Sequence, residues 1–179
     1  MAMAVSVTAC ASKQDGGAVK VEMASAADAL NQVFAMYEED EKFMIMGGDA
    51  NHAVMEEAGQ FDTSDADATL ATLHVSADLA AKADDVASAL HAMNANIFTG
   101  VAFHMAEGQD ADAFAAELKD SVLATQWMCG FPEKLVIFTV NGEYVLYTVG
   151  AADLTENFTT KLTTLYGEAA TKVVDQVVE

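Results

Sequence analysis

Arginine is missing altogether. All eight basic residues are lysines, against 28 aspartates and glutamates, for a formal net charge of −20. Binding to nucleic acid needs basic side chains to neutralise phosphates, so that function class is excluded. The bare surface is also repelled by anionic membranes. Proline occurs once, at Pro132, and no long Ser/Gly/Pro linker divides the chain after its N-terminal segment. The two cysteines, Cys10 and Cys129, form no CxxC pattern and no Cys/His cluster, which excludes a structural zinc centre. No apolar run approaches the ~18 residues that a membrane-spanning helix requires. GxGxxG, GKS/T, GxSxG, SxxK and HExxH are all missing, so no cofactor is expected. What is abundant is apolar: 53% of 179 residues. A chain of this length buries roughly 70% of its unfolded surface, enough to fold without a metal or disulfide.

The first residues read as an address. Met1 to Ala9 are mostly small and apolar and lead into Val7-Thr8-Ala9-Cys10. An apolar stretch followed by small residues is the logic of an export cleavage site. Ala11-Ser12-Lys13-Gln14-Asp15-Gly16-Gly17 is polar and suits a flexible tether. The stretch before Cys10 is shorter than a complete export signal and has no lysine, so this reading expects translation to start upstream. Otherwise the segment is a plain N-terminus with an incidental cysteine. Residues 1–22 are therefore expected to be a truncated signal and tether, and residues 23–179 a single α+β domain.

Within that domain, Ser25 with Asp28 three residues on is a capping pattern that predicts a helix carrying Ala26, Leu30, Val33, Phe34 and Tyr37 on one face. Phe43 to Met46 is a short apolar run stopped by Gly47-Gly48. A short helix is expected near Asn51 to Ala58, and an acidic loop over Gln60 to Ala68. Thr69 to Val75 fits a strand or the lead-in to a helix. From Ser76 the spacing of Leu79, Ala83, Val86, Leu90 and Met93 predicts a helix. Ile97 to Met105 alternates as a strand does. Ala111, Phe114, Ala115, Leu118 and Val122 predict the next helix. Lys134 to Val140 and Glu143 to Val149 are strands joined by Asn141-Gly142, the favoured pair for a type I′ turn. A two-residue loop would set Phe138 opposite Val145 and Ile137 opposite Leu146. Asp153 with Glu156 is expected to cap a helix through Leu165, and a last helix is expected from Gly167, burying Ala170, Val173, Val174 and Val177. The order from about residue 97, strand-helix-strand-strand-helix, is most of a split βαβ unit. It implies a mainly antiparallel sheet with helices packed on one face.

Few residues promise chemistry. Trp127-Met128-Cys129-Gly130-Phe131-Pro132 holds the sole tryptophan and the sole proline. A nucleophilic Cys129 needs a base to make the thiolate, and His91 and His104 are the candidates. The plainer alternative is an apolar corner that plugs the core, with Cys129 a small buried hydrophobe. Met44 and Met46 would point the same way on an extended segment. With His52 they could handle monovalent copper, although methionine is also a common core filler. Asp62, Asp65 and Asp67 lack EF-hand spacing, and Asp110 and Asp112 read as helix-start residues.

The Val7–Cys10 segment with its polar tether, Gln126-Trp127 with Pro132, and the hairpin bearing Glu143-Tyr144-Val145-Leu146 together resemble a family of uncharacterised lipoproteins of Gram-positive bacteria. The likeness spans roughly half the chain, about 94–166. It implies an extracytoplasmic domain anchored to the membrane by a lipid on Cys10, with no catalytic residues to carry over. The leading expectation is thus a non-catalytic binding module for a protein or small ligand. The alternatives are a hydrolase-type enzyme using Cys129 or a spatial cluster of His and Asp, and a metal-handling protein.

Overall fold

The computed structural model describes residues 21–128 and 130–178. Cys10, with the signal and tether reading over residues 1–20, and Cys129 lie outside the described residues. The domain is α+β, built on an antiparallel sheet. Its strands are β1 (Ile45–Gly47), β2 (Val54–Met55), β3 (Gly59–Gln60), β4 (Ala83–His91), β5 (Phe98–Met105), β6 (Lys134–Val140), β7 (Tyr144–Gly150) and β8 (Ala170–Val177). The order across the sheet is β2-β1-β4-β5-β7-β6-β8, with β3 also on β4.

The helices are α1 (Ala26–Phe34), α2 (Ala66–Leu73), α3 (Ala77–Ala80), α4 (Ala111–Leu123) and α5 (Ala152–Tyr166). They cover both faces of the sheet, not one. Residues of α1 and α5 pack with Ala87, Ala102, Phe138 and Leu146. Residues of α2, α3 and α4 pack with Val86, Phe103, Ile137 and Val145 on the other side. The cause is β8, which the valine spacing had suggested was a helix. Its β-branched residues instead pair with β6. The crossovers β5-α4-β6 and β7-α5-β8 then move the same way along the sheet but leave from antiparallel strands. Two such crossovers of one hand must place their helices on opposite faces.

Other expectations are corrected as well. The helical spacing from Ser76 ends after α3, and Ala83 to His91 is the strand β4, paired to both β1 and β5. Its alanines favour helix in isolation, but Ala87 and Ala89 sit beneath Ala26 and Ala29 of α1. Small residues on both elements let helix and sheet approach closely, so packing overrides propensity. Residues 51–58 form no helix but lead through β2, because Asp49 accepts from the backbone N–H of Asn51 and His52 and turns the chain there. The acidic loop of 60–68 is shortened by β3 and by α2, which Asp65 caps. Helix α5 takes no side-chain cap from Asp153; the Ala152 N–H donates to the Glu133 carboxylate at 2.9 Å.

The Asn141-Gly142 turn forms with both φ positive, at 55° and 71°, and the Glu143 N–H donates to the Val140 carbonyl at 3.2 Å. Yet Val140 lies opposite Tyr144, so Phe138 faces Leu146, and Ile137 faces Tyr147. Glu143 is an extra residue, held by its carbonyl to the Met105 N–H of β5. The edge strand β8 carries a register shift opposite Ile137/Phe138, and the exposed Lys172 lies beside it. Both features discourage pairing with another sheet.

Candidate functional site

Register defines the two ends of the molecule. Ile45, His91, Phe98, Gly150, Lys134 and Val177 form one row across the sheet. Asp85, His104, Tyr144, Val140 and Ala170 form a row at the far end. Most exposed large apolar side chains gather at the first end. Met44, Met46 and Met55 belong to the β1–β2 ribbon, Met93 and Ile97 to the β4–β5 connection, Met128 and Phe131 to the approach to β6, and Val177 to the end of β8. Met36, just past α1, joins them, whereas Val54, Leu70 and Val173 lie elsewhere. The far end carries Asp84, Asp85, Glu107, Asp110, Glu143 and Glu168. It also receives the chain from its N-terminal side: the Val21 carbonyl accepts from Asn141 Nδ2 at 2.8 Å, and Gln32 donates to the Glu22 carbonyl. Val21 and Glu22, placed with the tether on sequence grounds, are thus tied to the domain.

At the apolar end lies a groove of about 700 Å³ between the end of α1, the segment before β1 and the loop after β2. Its base is aromatic. Phe34 stands against Phe43, Tyr37 and Phe98, with ring centroids 5.2–6.2 Å apart across the Phe34, Tyr37, Phe43 and Phe98 contacts. Phe34 and Phe43 are half-buried, and Met44 extends the apolar surface outward with 54% of its area exposed. Acids surround it: Glu56 and Glu57 on one side and the run Glu38-Glu39-Asp40-Glu41 on the other. The neighbouring cations are already engaged. Lys42 pairs with Glu39, and Lys161 pairs with Glu41 at 2.6 Å, holding that carboxyl below its ordinary pKa.

Two contacts build the wall of this groove. Asn31 donates to the Ala58 carbonyl at 3.2 Å and accepts from the Ala58 N–H at 2.7 Å, pinning α1 to the loop. Asn31→Ala leaves both backbone groups unmatched and is expected to cost about 2 kcal/mol. Thermal unfolding should fall by roughly 4–8 °C, with Asn31→Asp intermediate because it can still accept. The second contact is the close approach of Gly47 to the backbone of residues 57–59.

The structure rearranges the sequence candidates. Met46 lies directly opposite Met55, and Met44 shares its side of β1, so the thioethers do converge. His52 does not join them. Its Nδ1 is 2.8 Å from Asp49, on the far side of Gly47-Gly48, and its pKa is raised by that hydrogen bond. Burial opposes the Asp49 charge, but bonds from the Asp62 N–H and His52 hold its pKa well below the usual carboxylate range. His91 stacks on Phe43 at 5.2 Å, while His104 sits 2.5 Å from Asp84 in the opposite row, so those two candidate bases serve different ends. Among the described residues no three His, Cys, Asp or Glu side chains stand close enough to hold a metal. Trp127 packs on the α4 face of the core with its ring 4.5 Å from His74, and Pro132 is buried, while Met128 and Phe131 of the same segment are exposed. His74, one of four histidines that match no metal-ligand spacing in the sequence, is buried, and burial pushes its pKa down to about 4. Comparison of the chain with protein-family models, curated proteins and solved structures finds no match.

Proposed function

We propose that this protein is an extracytoplasmic module, anchored to a membrane through a lipid on Cys10, that binds a partner rather than transforming a substrate. One observation supports the reading best. Exposed apolar side chains concentrate at one end of the sheet, while the chain enters from its N-terminal side at the acidic end. A lipid at Cys10 would therefore hold the domain with its acidic end toward the bilayer, where anionic headgroups repel it, and with the methionine-rich end pointing outward. No helix among the described residues is long and apolar enough to cross a membrane. Methionine suits the outward face, because its unbranched, polarizable side chain adapts to different apolar surfaces.

The test is chemical. The gene with its upstream coding region is expressed in a Gram-positive host, and the product is partitioned into detergent and analysed by mass spectrometry. A diacylglyceryl Cys10 as first residue is expected, and Cys10→Ser should move the protein to the aqueous phase. Recovery of unprocessed protein from the aqueous phase for both forms would overturn the anchor.

A further inference from the structure

We infer that the groove between α1 and the β1–β2 ribbon takes a cationic amphipathic helix from a protein partner, its apolar side on the aromatic base and its lysines or arginines against the acidic rim. The inference rests on the binding-module reading and gives that module a ligand class.

Three observations carry it. The base is an apolar surface of the half-buried Phe34 and Phe43, with the exposed Met44 on its margin, open to solvent rather than enclosed. A surface of aromatic rings and adaptable thioethers accepts the apolar stripe of a helix, with anchors at i, i+3, i+4 and i+7. The acids lie on both flanks, from Glu38–Glu41 and from Glu56–Glu57, so a ligand lying along the groove meets negative charge on either side. Lys42, which itself lines the groove, is paired with Glu39, and Lys161 with Glu41, so the rim's net negative charge comes from Glu38 and Asp40 on one flank and Glu56 and Glu57 on the other. A neutral helix would gain no charge complementarity there, and an anionic one would be repelled by a chain of net charge −20.

A chain this acidic attracts any polycation, so the test must separate the groove from bulk charge. The probe is a fluorescent peptide of about five helical turns of leucine and lysine at 3.6-residue spacing. Its partner is a scrambled peptide of the same composition. The intact domain should bind the amphipathic peptide at least about tenfold more tightly. The preference should persist at about 1 M salt, where the screening length is about 3 Å. Met44→Gln should weaken binding about fivefold. Leu70→Gln alters a side chain of near-equal exposure (55% against 54%) on α2 and should leave affinity unchanged. Glu56→Gln with Glu57→Gln should weaken binding at low salt and converge with the unmodified protein at high salt. Amide hydrogen exchange should slow at 31–45 and 56–57 when the peptide binds.

Equal affinity for the scrambled peptide, loss of the preference at high salt, or matching effects of Met44→Gln and Leu70→Gln would each overturn the inference. The two readings fail separately. A lipidated Cys10 with no protection in the groove removes the helix ligand and keeps the anchored module. Protection in the groove of an unprocessed protein removes the anchor and keeps the ligand.

Discussion

Gly47→Ala is expected to destabilise the domain by about 3 kcal/mol or more and to abolish binding at the groove, although residue 47 touches no ligand. A Cβ at this position would lie 2.1 Å from the Gly59 nitrogen, 2.4 Å from the Glu57 carbonyl oxygen and 2.6 Å from the Ala58 carbonyl carbon. All three are backbone atoms, so no side-chain rotation relieves the clash. The approach is reciprocal: a Cβ on Gly59 would meet Gly47 and Gly48 backbone at 2.8–2.9 Å. Strand β1 and the 57–59 loop are therefore stacked glycine on glycine. That contact carries Ala58 under Asn31 and Glu57 to the groove. Forcing the loop away breaks the Asn31 bonds and removes one wall together. Gly142→Ala is the control. It has positive φ of 71° but nothing within 4 Å, so it should cost only about 1 kcal/mol in backbone strain. Denaturant unfolding of both variants checks the difference. If Gly47→Ala unfolds with Gly142→Ala, the close approach does not determine stability.

Some of this architecture could be read directly. Ser25 caps α1 through the Asp28 N–H at 3.0 Å, as its spacing implied. The alternation of Ile97 to Met105 and the stripe of α4 were equally plain, because each has one residue period and one well-defined boundary. β4 and β8 failed for opposite reasons. The alanines of β4 serve a helix crossing above it, and no local window contains that helix. The valines of β8 fit either a helix stripe or an edge strand, and only its pairing with β6 decides. The hairpin slip has a third cause. Both faces of β6 and β7 are buried, so the apolar–polar alternation that would expose a one-residue shift is absent.

The candidate site was legible only in parts. Met44 and Met46 pointing the same way follows from strand geometry. That Met55 stands opposite Met46, or that Phe34 from α1 meets Phe43 before β1, depends on the Gly47–Gly59 approach. Glycine in sequence marks a permitted approach without naming its partner. His52 shows the converse. Six residues from Met46 in sequence, it is turned away by the bonds from Asn51 and His52 to Asp49.

His74 sets the other large expected effect, a loss of stability that begins in mild acid, before carboxylates protonate. The imidazole is buried at the end of α2, in left-handed backbone with φ of 55°, and its pKa falls from 6.5 to about 4 through desolvation. In the unfolded chain the same group protonates near 6.5. Between those values the unfolded state holds a proton that the folded state does not, so stability rises with pH there. It is unaffected above about 7, falls progressively below 6.5, and the full cost of about 3 kcal/mol is reached near pH 4. For a domain of this size that is roughly 6–12 °C in thermal midpoint. The exposed His52 acts in the opposite sense. Asp49 raises its folded pKa, so its contribution is present in acid and fades as pH rises through that value. The difference between unmodified protein and His74→Asn therefore isolates the buried group. Asparagine is the replacement of choice because it tolerates positive φ and does not titrate. Trp127, the sole tryptophan, lies 4.5 Å from the His74 ring and reports independently. Its emission in the folded protein should be quenched by imidazolium with a midpoint near 4, not 6.5, and His74→Asn should remove that step. A variant that keeps the unmodified slope of stability between pH 6.5 and 4.5 would show that His74 is not the group responsible.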